Sequence, residues 1–161
     1  MNLQQELMSI VNVLESAEIP YAVCGGLAVA LHGYPRATRD IDIMIREQDL
    51  ESAEILLKPI GYFIPGGIIP FKIGTAEERR VFRISRILDG ELLTLDLMLV
   101  APIFHDVWAN RIRLSLNFHE ISVVSKEGLA RMKRLAARYK DLADLEGLGM
   151  PLEDDNDTRT K

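Results

Sequence analysis

The chain of 161 residues is poor in cysteine and has no long apolar run. Cys24 is its one cysteine, which excludes an intramolecular disulfide and a metal cluster built from cysteines. No apolar stretch approaches the roughly 18 residues that span a bilayer, and the first six residues lack the basic start and apolar core of a secretion signal. We therefore expect a cytoplasmic protein that has no membrane partner.

Linkers and internal repeats are missing as well. No segment divides the sequence, so its length predicts one domain over residues 1–150. Residues 151–161 are polar, acidic and without periodicity, which predicts a disordered tail. Apolar periodicity predicts helices over residues 3–17, 27–33, 50–59, 102–110, 126–136 and 141–148, and strands over residues 21–24, 39–45, 80–87, 92–100, 111–116 and 120–124, with a short edge strand within 60–74.

Negative charge predominates, with a formal net charge of −5, but basic residues cluster in two places. The segment from Lys126 to Lys140 contains six basic residues and one acid, and residues 79–86 contain four arginines. Each run is by default a solvated surface. Beside a phosphate site, either run can instead hold a triphosphate or the backbone of a nucleic acid. Lys133, in the middle of the first run, is the residue that we expect to contact phosphate.

Two aspartates in the strand over residues 39–45 are the most informative feature of the sequence. Side chains alternate between the faces of a strand, so Asp40 and Asp42 point to the same side, roughly 7 Å apart at the backbone. Two like charges so close are costly unless a cation neutralises them. Mg²⁺, which binds oxygen ligands and completes its shell with substrate phosphates, suits this pair, and Mn²⁺ is the alternative.

A third carboxylate lies in the apolar strand over residues 92–100. Asp96 is the only charged residue of that strand, and an aspartate is rarely buried without a partner. We expect it to converge with Asp40 and Asp42 on shared cations. The alternative is an edge strand in which Asp96 faces water or pairs with an arginine.

Two glycines connect the first strand to the helix that follows it. Gly25 and Gly26 let the backbone approach a ligand closely, and the N–H groups at the start of the next helix, from Leu27 on, favour phosphate. A glycine pair alone is more often a tight turn. Its distance of thirteen residues from the aspartate pair makes a binding role more specific.

These motifs together resemble the nucleotidyltransferase superfamily with the DNA polymerase beta-like fold, in particular its small bacterial abortive-infection and toxin–antitoxin branch. The residues that carry the resemblance are Gly25-Gly26, Arg36, Thr38, Asp40-Ile41-Asp42 and Asp96. Many members have Gly-Ser where this chain has Gly25-Gly26. The resemblance implies an α+β fold in which helices flank a mixed central sheet.

The resemblance also implies a reaction: metal-dependent transfer of a nucleoside monophosphate from an NTP to an acceptor hydroxyl, with release of pyrophosphate. Asp40, Asp42 and Asp96 are then the catalytic metal ligands. The nucleotide-binding residues are Gly25, Gly26, Leu27, Arg39 and Lys133. The acceptor stays open among a tRNA end, a protein hydroxyl and the hydroxyl of a small molecule such as an antibiotic.

Other interpretations remain at the level of the sequence. One is a catalytically silent nucleotide-binding module with an antitoxin-like partner protein, and another is a phosphatase or nuclease that uses the same metal pair. Asp141 and Asp144 resemble a helical Lys-Asp-x-x-Asp element of small nucleotidyltransferases. At positions i and i+3, they are equally compatible with surface charges that pair with Arg138 and Lys140.

Overall fold

A computed structural model describes residues 2–153, so residues 154–161 of the predicted acidic tail lie outside the described part of the chain. Within that part, the helices are α1 (Leu3–Ser16), α2 (Gly25–Leu31), α3 (Leu50–Leu57), α4 (His105–Ala109), α5 (Lys126–Ala136) and α6 (Tyr139–Gly147). The strands are β1 (Tyr21–Cys24), β2 (Asp40–Ile45), β3 (Ile64–Phe71), β4 (Arg79–Leu88), β5 (Glu91–Leu99), β6 (Ile112–Leu116) and β7 (His119–Val123).

The strands form one seven-stranded sheet in the order β3-β4-β5-β2-β1-β7-β6. Strand β2 runs parallel to β5, and β1 runs parallel to β7, while the other neighbours are antiparallel. The sheet is therefore mixed, and the predicted α+β fold is confirmed. Among the described residues, no helix combines the length and the apolar character that crossing a membrane requires.

Alternation along β2 and β5 separates a core face from a polar face. Ile41 and Ile43 on β2 are fully buried beside Leu95 and Leu97 on β5, because these residues pair in register. Apolar side chains of helix α1 join the same core. The intervening residues of β2 and β5 project to the opposite face, which therefore carries the aspartates.

Hairpin β4–β5 turns at Asp89-Gly90, as the sequence predicts. Both turn residues have positive φ, 52° and 79°, which suits the twist of a two-residue hairpin. The edge strand β3 is longer than predicted, because an edge position tolerates its prolines and a register shift between Pro65 and Gly67 absorbs the irregularity.

Helix α5 begins after Ser125, whose hydroxyl accepts a hydrogen bond from the N–H of Gly128 at 3.0 Å. It packs against helix α6 and also contacts helix α2. Helix α2 begins at Gly25, two residues before the predicted start at residue 27. These contacts bring the basic segment predicted over residues 126–140 next to the glycines and the aspartates.

Candidate active site

Two carboxylates lie side by side at the centre of the sheet. Asp42 on β2 is the in-register neighbour of Asp96 on the parallel strand β5. Neighbours in register project to the same face, so both carboxylates and that of Asp40, two residues away, share one face of the sheet. The structure therefore brings together the three residues that the sequence predicts as the catalytic group.

Burial and like charge act together on Asp42. Burial is the largest cause, followed by the charges of Asp96 and Asp40, and together they raise the pKa of Asp42 from 3.8 to about 6. A cation bound beside Asp42 would lower this pKa, because it would offset the repulsion from the neighbouring carboxylates. A carboxyl pKa that is raised by burial and by neighbouring carboxylates is typical of a functional site.

An arginine pairs with the third carboxylate. Arg83 on β4 donates from Nε to Oδ1 of Asp96 at 2.8 Å and from Nη2 to Oδ2 at 2.9 Å. This bidentate geometry is the strong form of such a pair, and it raises the pKa of Arg83. Asp96 therefore lies beside Asp42 in the sheet and also pairs with an arginine. The sequence leaves these two arrangements open as alternatives.

The site offers carboxylate oxygens for a hard cation. As the side chains are arranged, no three metal-ligating groups among residues 2–153 already form a ligand cluster, so the expected convergence of the three aspartates on shared cations is not preassembled. The donor chemistry nevertheless fits Mg²⁺ or Mn²⁺, because three carboxylates share one face and burial with like charge raises the pKa of Asp42.

A glycine turn lies directly against the aspartates. Gly25 has a φ of +63°, and a Cβ atom there would lie 2.2 Å from Oδ2 of Asp42. A Cβ atom on Gly26 would lie 2.8 Å from Oγ1 of Thr38 and 3.0 Å from Nη2 of Arg36. The side chains of Thr38 and Arg36 therefore occupy the space that a serine would need at position 26.

We expect Gly25→Ala to lower the free energy of unfolding by roughly 1 kcal/mol more than Gly33→Ala does. Gly33 also has positive φ, +101°, but a Cβ atom there meets nothing within 4 Å. The control therefore carries the backbone strain without the collision with Asp42. Urea unfolding of both variants measures the difference, and equal losses would contradict a steric role for Gly25.

Basic side chains form one wall of a cavity of about 170 Å³ above the carboxylates. Arg36, Lys133, Arg138 and Lys140 line this cavity, and so do Gly25 and Gly26. The cavity thus brings basic side chains close to a group of carboxylates. Such an arrangement suits an anionic ligand that binds together with a cation.

Lys133 belongs to this wall, but it is buried, with a side-chain exposure of 8%. Its Nζ lies 3.3 Å from Oδ1 of Asp141 and 3.0 Å from Oδ2 of Asp144. Both aspartates are also buried, so their interpretation as surface charges is wrong. Asp141 pairs further with Arg138, and Asp144 pairs with Arg36 at 2.6 Å.

The aspartates of this network hold the basic wall in place. Burial alone would raise the pKa of Asp141, but the hydrogen bond from Arg138 and the charge of Lys133 outweigh it and lower that pKa. Asp141 is therefore ionised at neutral pH and keeps Arg138 and Lys133 oriented. The amphipathic spacing of α5 and α6 in the sequence does not reveal this network, because it depends on how the two helices pack.

The structure does not bring every predicted nucleotide-binding residue to the cavity. Arg39 is exposed and lies outside the lining, because it precedes β2 and alternation directs it away from the face of Asp40 and Asp42. The side chain of Leu27 is buried in the core, whereas the sequence predicts phosphate contact only for its backbone N–H group, which stays a prediction. Arg36 contributes a guanidinium that the sequence argument did not assign to the site.

Arg83, Arg138 and Lys140 are further lining residues that the sequence argument did not single out. The sequence nevertheless contains a pattern that predicts the position of Arg83 opposite Asp96. In a hairpin whose turn is Asp89-Gly90, the residue six before Asp89 faces the residue six after Gly90, which pairs Arg83 with Asp96.

Known structures share this fold. A nucleotidyltransferase of Thermotoga maritima superposes with a TM-score of 0.62 at 18% identity, over 88% of this chain and 89% of that one. The lincosamide antibiotic adenylyltransferase LnuA, solved with lincomycin, gives 0.58 at 20% identity over 90% and 95%. ANT(2″)-Ia, solved with adenylyl-2″-tobramycin, gives 0.57 at 12% identity over 92% and 88%. A comparison with curated proteins found no match.

A family model assigns the chain. The model described as aminoglycoside-2″-adenylyltransferase matches residues 6–93, which is more than half of the sequence. The matched segment includes the glycine turn, the aspartates of β2, the edge strand β3 and the arginine that pairs with Asp96. The resemblance to nucleotidyltransferases is thereby confirmed, and the chain belongs to the aminoglycoside-2″-adenylyltransferase family of nucleotidyltransferases.

Proposed function

We propose that this protein transfers a nucleoside monophosphate from an NTP to the hydroxyl group of an acceptor and releases pyrophosphate. One observation carries the proposal: Asp42 and Asp96 are in-register neighbours on two parallel strands, and Asp42 lies directly against the tight turn at Gly25. This places carboxylates that suit a cation next to backbone that a phosphate can approach closely.

In this reaction a bond forms between the acceptor oxygen and the α-phosphorus, and the bond from the α-phosphorus to the leaving pyrophosphate oxygen breaks. Asp96 is positioned to take the hydroxyl proton, and Arg83 orients its carboxylate through two hydrogen bonds. Arg36, Lys140 and Arg138, which line the basic wall, stabilise the negative charge that develops on pyrophosphate.

Asp40, Asp42 and Asp96 are the residues that would hold Mg²⁺ or Mn²⁺. When bound, the cation neutralises phosphate charge and lowers the cost of deprotonating the acceptor hydroxyl. The raised pKa of Asp42 supports this assignment, because a cation relieves the repulsion that raises it. Lys133 stays a predicted phosphate contact, although its ammonium group is already bound by Asp141 and Asp144.

The test is transfer of label from α-labelled NTPs, with Mg²⁺ present, to three acceptor pools: small hydroxyl compounds, tRNA and protein. We expect the wild type to label one pool and Asp96→Ala to label none above background, because this variant loses the acceptor-side carboxylate. Glu47→Ala is a suitable control, since Glu47 is exposed and pairs with Arg80 outside the cavity. Equal labelling by the wild type and Asp96→Ala would refute the proposed mechanism.

The toxin–antitoxin role, the antitoxin-like partner and the cytoplasmic location remain predictions of the sequence. A pull-down with the product of the neighbouring gene tests the partner. Calorimetry with Mg²⁺-NTP on the wild type and Asp40→Asn distinguishes an enzyme from a silent interaction module, because only the enzyme requires nucleotide binding that depends on this carboxylate.

A further inference from the structure

Arg83 hydrogen-bonds both oxygens of the carboxylate that the proposed reaction uses at the acceptor. Each oxygen of a carboxylate has two lone pairs, and the hydrogen bonds from Arg83 use one on each oxygen of Asp96. The side chain of Asp96 is only 13% exposed. A cation at bonding distance from Asp96 would also lie close to the guanidinium, and like charges repel strongly where little water screens them. Ligation of a cation by Asp96 therefore works against the ion pair.

Asp40 and Asp42 are not restrained in this way. Among residues 2–153, Asp96 is the one of the three aspartates that forms an ion pair with a lysine or an arginine. A cation that approaches Asp40 and Asp42 has no ion pair to break there, whereas ligation by Asp96 requires at least one hydrogen bond from Arg83 to open. The three carboxylates should therefore not bind a cation with equal ease.

The sheet builds this pair from both sides of β4. Arg83 and Asp96 are in-register neighbours on the antiparallel strands β4 and β5. On the other side, the register of β3 against β4 shifts between Pro65 and Gly67, so Gly66 is the extra residue of a bulge. A Cβ atom on Gly66 would lie 2.6 Å from Cγ and 2.9 Å from Cβ of Arg83. The bulge and the missing side chain of Gly66 therefore leave room for the stem of Arg83.

The far end of Arg83 can move although its stem is held. The side chain of Arg83 is 42% exposed, and the residue lines the cavity above the carboxylates. Rotation about the last bonds of the side chain would take the guanidinium away from Asp96 without moving β3 or β4. The pair can therefore open locally, while the sheet keeps both residues in register.

We propose that Arg83 is a positioning residue that competes with a cation for Asp96, so that a cation first contacts Asp40 and Asp42 and gains Asp96 as a ligand only when the ion pair opens. The inference rests on the proposed nucleotidyl transfer and adds an order of assembly to it. While the pair is closed, two hydrogen bonds hold the Asp96 carboxylate in one orientation. Arg83 thereby lowers the affinity of the three aspartates for the cation.

Binding of Mn²⁺ without nucleotide tests this competition. Free Mn²⁺ is measured at pH 7 by its electron paramagnetic resonance signal. Arg83→Met removes the guanidinium and keeps an unbranched stem, so it should tighten Mn²⁺ binding by about tenfold. Arg80→Met is the control for lost charge, because Arg80 lies on the same strand, is 41% exposed and pairs with Glu47 outside the cavity. Equal Mn²⁺ affinities of Arg83→Met and the wild type, or equal gains in both variants, would overturn the inference.

A double-mutant cycle shows whether Arg83 acts through Asp96. In the Asp96→Asn background, Arg83→Met should change the Mn²⁺ affinity by no more than about twofold, because the pair through which Arg83 acts is already lost. The remaining change comes from the general charge of Arg83 near Asp40 and Asp42. A gain of about tenfold in both backgrounds would show that only this general charge matters and would overturn the inference.

Glycine variants change the geometry and leave every charge in place. Gly66→Ala sets a Cβ atom against the stem of Arg83, so it should displace the guanidinium from Asp96 and tighten Mn²⁺ binding by at least about threefold. Gly67→Ala is the control, because Gly67 has a φ of +76° and a Cβ atom there meets nothing within 4 Å. It therefore strains the backbone of the same bulge and leaves Arg83 in place. Equal Mn²⁺ affinities of the two variants would contradict the competition.

The Nε–H group of Arg83 reports the pair directly in ¹⁵N–¹H spectra, where its resonance is assigned by its loss in Arg83→Met. Addition of Mg²⁺, which is not paramagnetic, should shift this resonance and speed its exchange with water as the hydrogen bond to Asp96 opens. A resonance that stays unchanged when Mg²⁺ saturates the protein would overturn the inference.

The transfer assay separates failure of this inference from failure of the proposed function. A wild type that transfers nucleotide, although Arg83→Met leaves the Mn²⁺ affinity unchanged, retains the function and contradicts the inference. A protein that transfers nothing, although Arg83→Met tightens Mn²⁺ binding, contradicts the function while the competition for Asp96 stands. A wild type that binds no Mn²⁺ contradicts both.

Discussion

The Asp42→Asn variant should lose at least about 10³-fold of the transfer rate and yet be more stable than the wild type when no metal is present. The loss follows from the removal of a proposed cation ligand, which would cost several kcal/mol of transition-state stabilisation. The gain follows from relief of the repulsion among Asp42, Asp96 and Asp40 and from burying a neutral group.

The stability gain depends on pH in a defined direction. The pKa of Asp42 is raised from 3.8 to about 6, so the folded protein binds more protons than the unfolded chain between these values. The free energy of unfolding of the metal-free wild type therefore falls as the pH rises through this interval. Above the interval, the loss that is due to Asp42 is complete. The shift corresponds to about 3 kcal/mol, which the remaining solvent contact of Asp42 reduces to about 2 kcal/mol.

Thermal unfolding with a metal chelator, at pH 4 and pH 8, measures this effect. Asp42→Asn and the wild type should melt at similar temperatures at pH 4, and the variant should melt higher at pH 8. Mg²⁺ should raise the melting temperature of the wild type and leave that of the variant nearly unchanged. Asp106→Asn is the control, because its side chain is 83% exposed. A pH-independent difference between Asp42→Asn and the wild type would contradict this electrostatic account.

Lys133→Met should lower the free energy of unfolding by about 3 kcal/mol. The substitution keeps an unbranched side chain of similar length but leaves Asp141 and Asp144 with less compensating charge in a buried position. This loss lies at the lower end of the range for breaking a buried ion pair, because Arg138 still contacts Asp141 and Arg36 still contacts Asp144. Urea unfolding at pH 7 measures it.

Arg131→Met on the same helix provides the comparison. Arg131 pairs with the largely exposed Asp106 at 3.4 Å, and exposed pairs contribute about 0–1 kcal/mol. A Lys133→Met loss no larger than the Arg131→Met loss would show that the buried network contributes nothing to stability. NTP titrations of Lys133→Met at two salt concentrations then show whether Lys133 also contacts phosphate, since a lost contact flattens the salt dependence.

The amino-acid sequence was sufficient to predict which face of the sheet carries the candidate catalytic aspartates. Asp40 and Asp42 alternate with isoleucines, and this period of two places both aspartates on one face whatever the tertiary structure. The turn signal Asp89-Gly90 sets the register of the hairpin and therefore the place of Asp96 along it. Local rules decide these features, because each depends on residues close together in the sequence.

Packing between distant elements decided the rest. The pairing of β2 with β5 makes Asp42 and Asp96 neighbours, and the packing of α5 on α6 buries Lys133 between two aspartates that the sequence leaves open as surface charges. Edge strand β3 brings the apolar residues Ile69 and Phe71 to a cavity that Asp42 and Asp96 also line. The sequence by itself determined which groups are candidates for the chemistry, whereas the tertiary structure determined which charges are neutralised and which side chains line the cavity, because these depend on contacts between residues far apart in the chain.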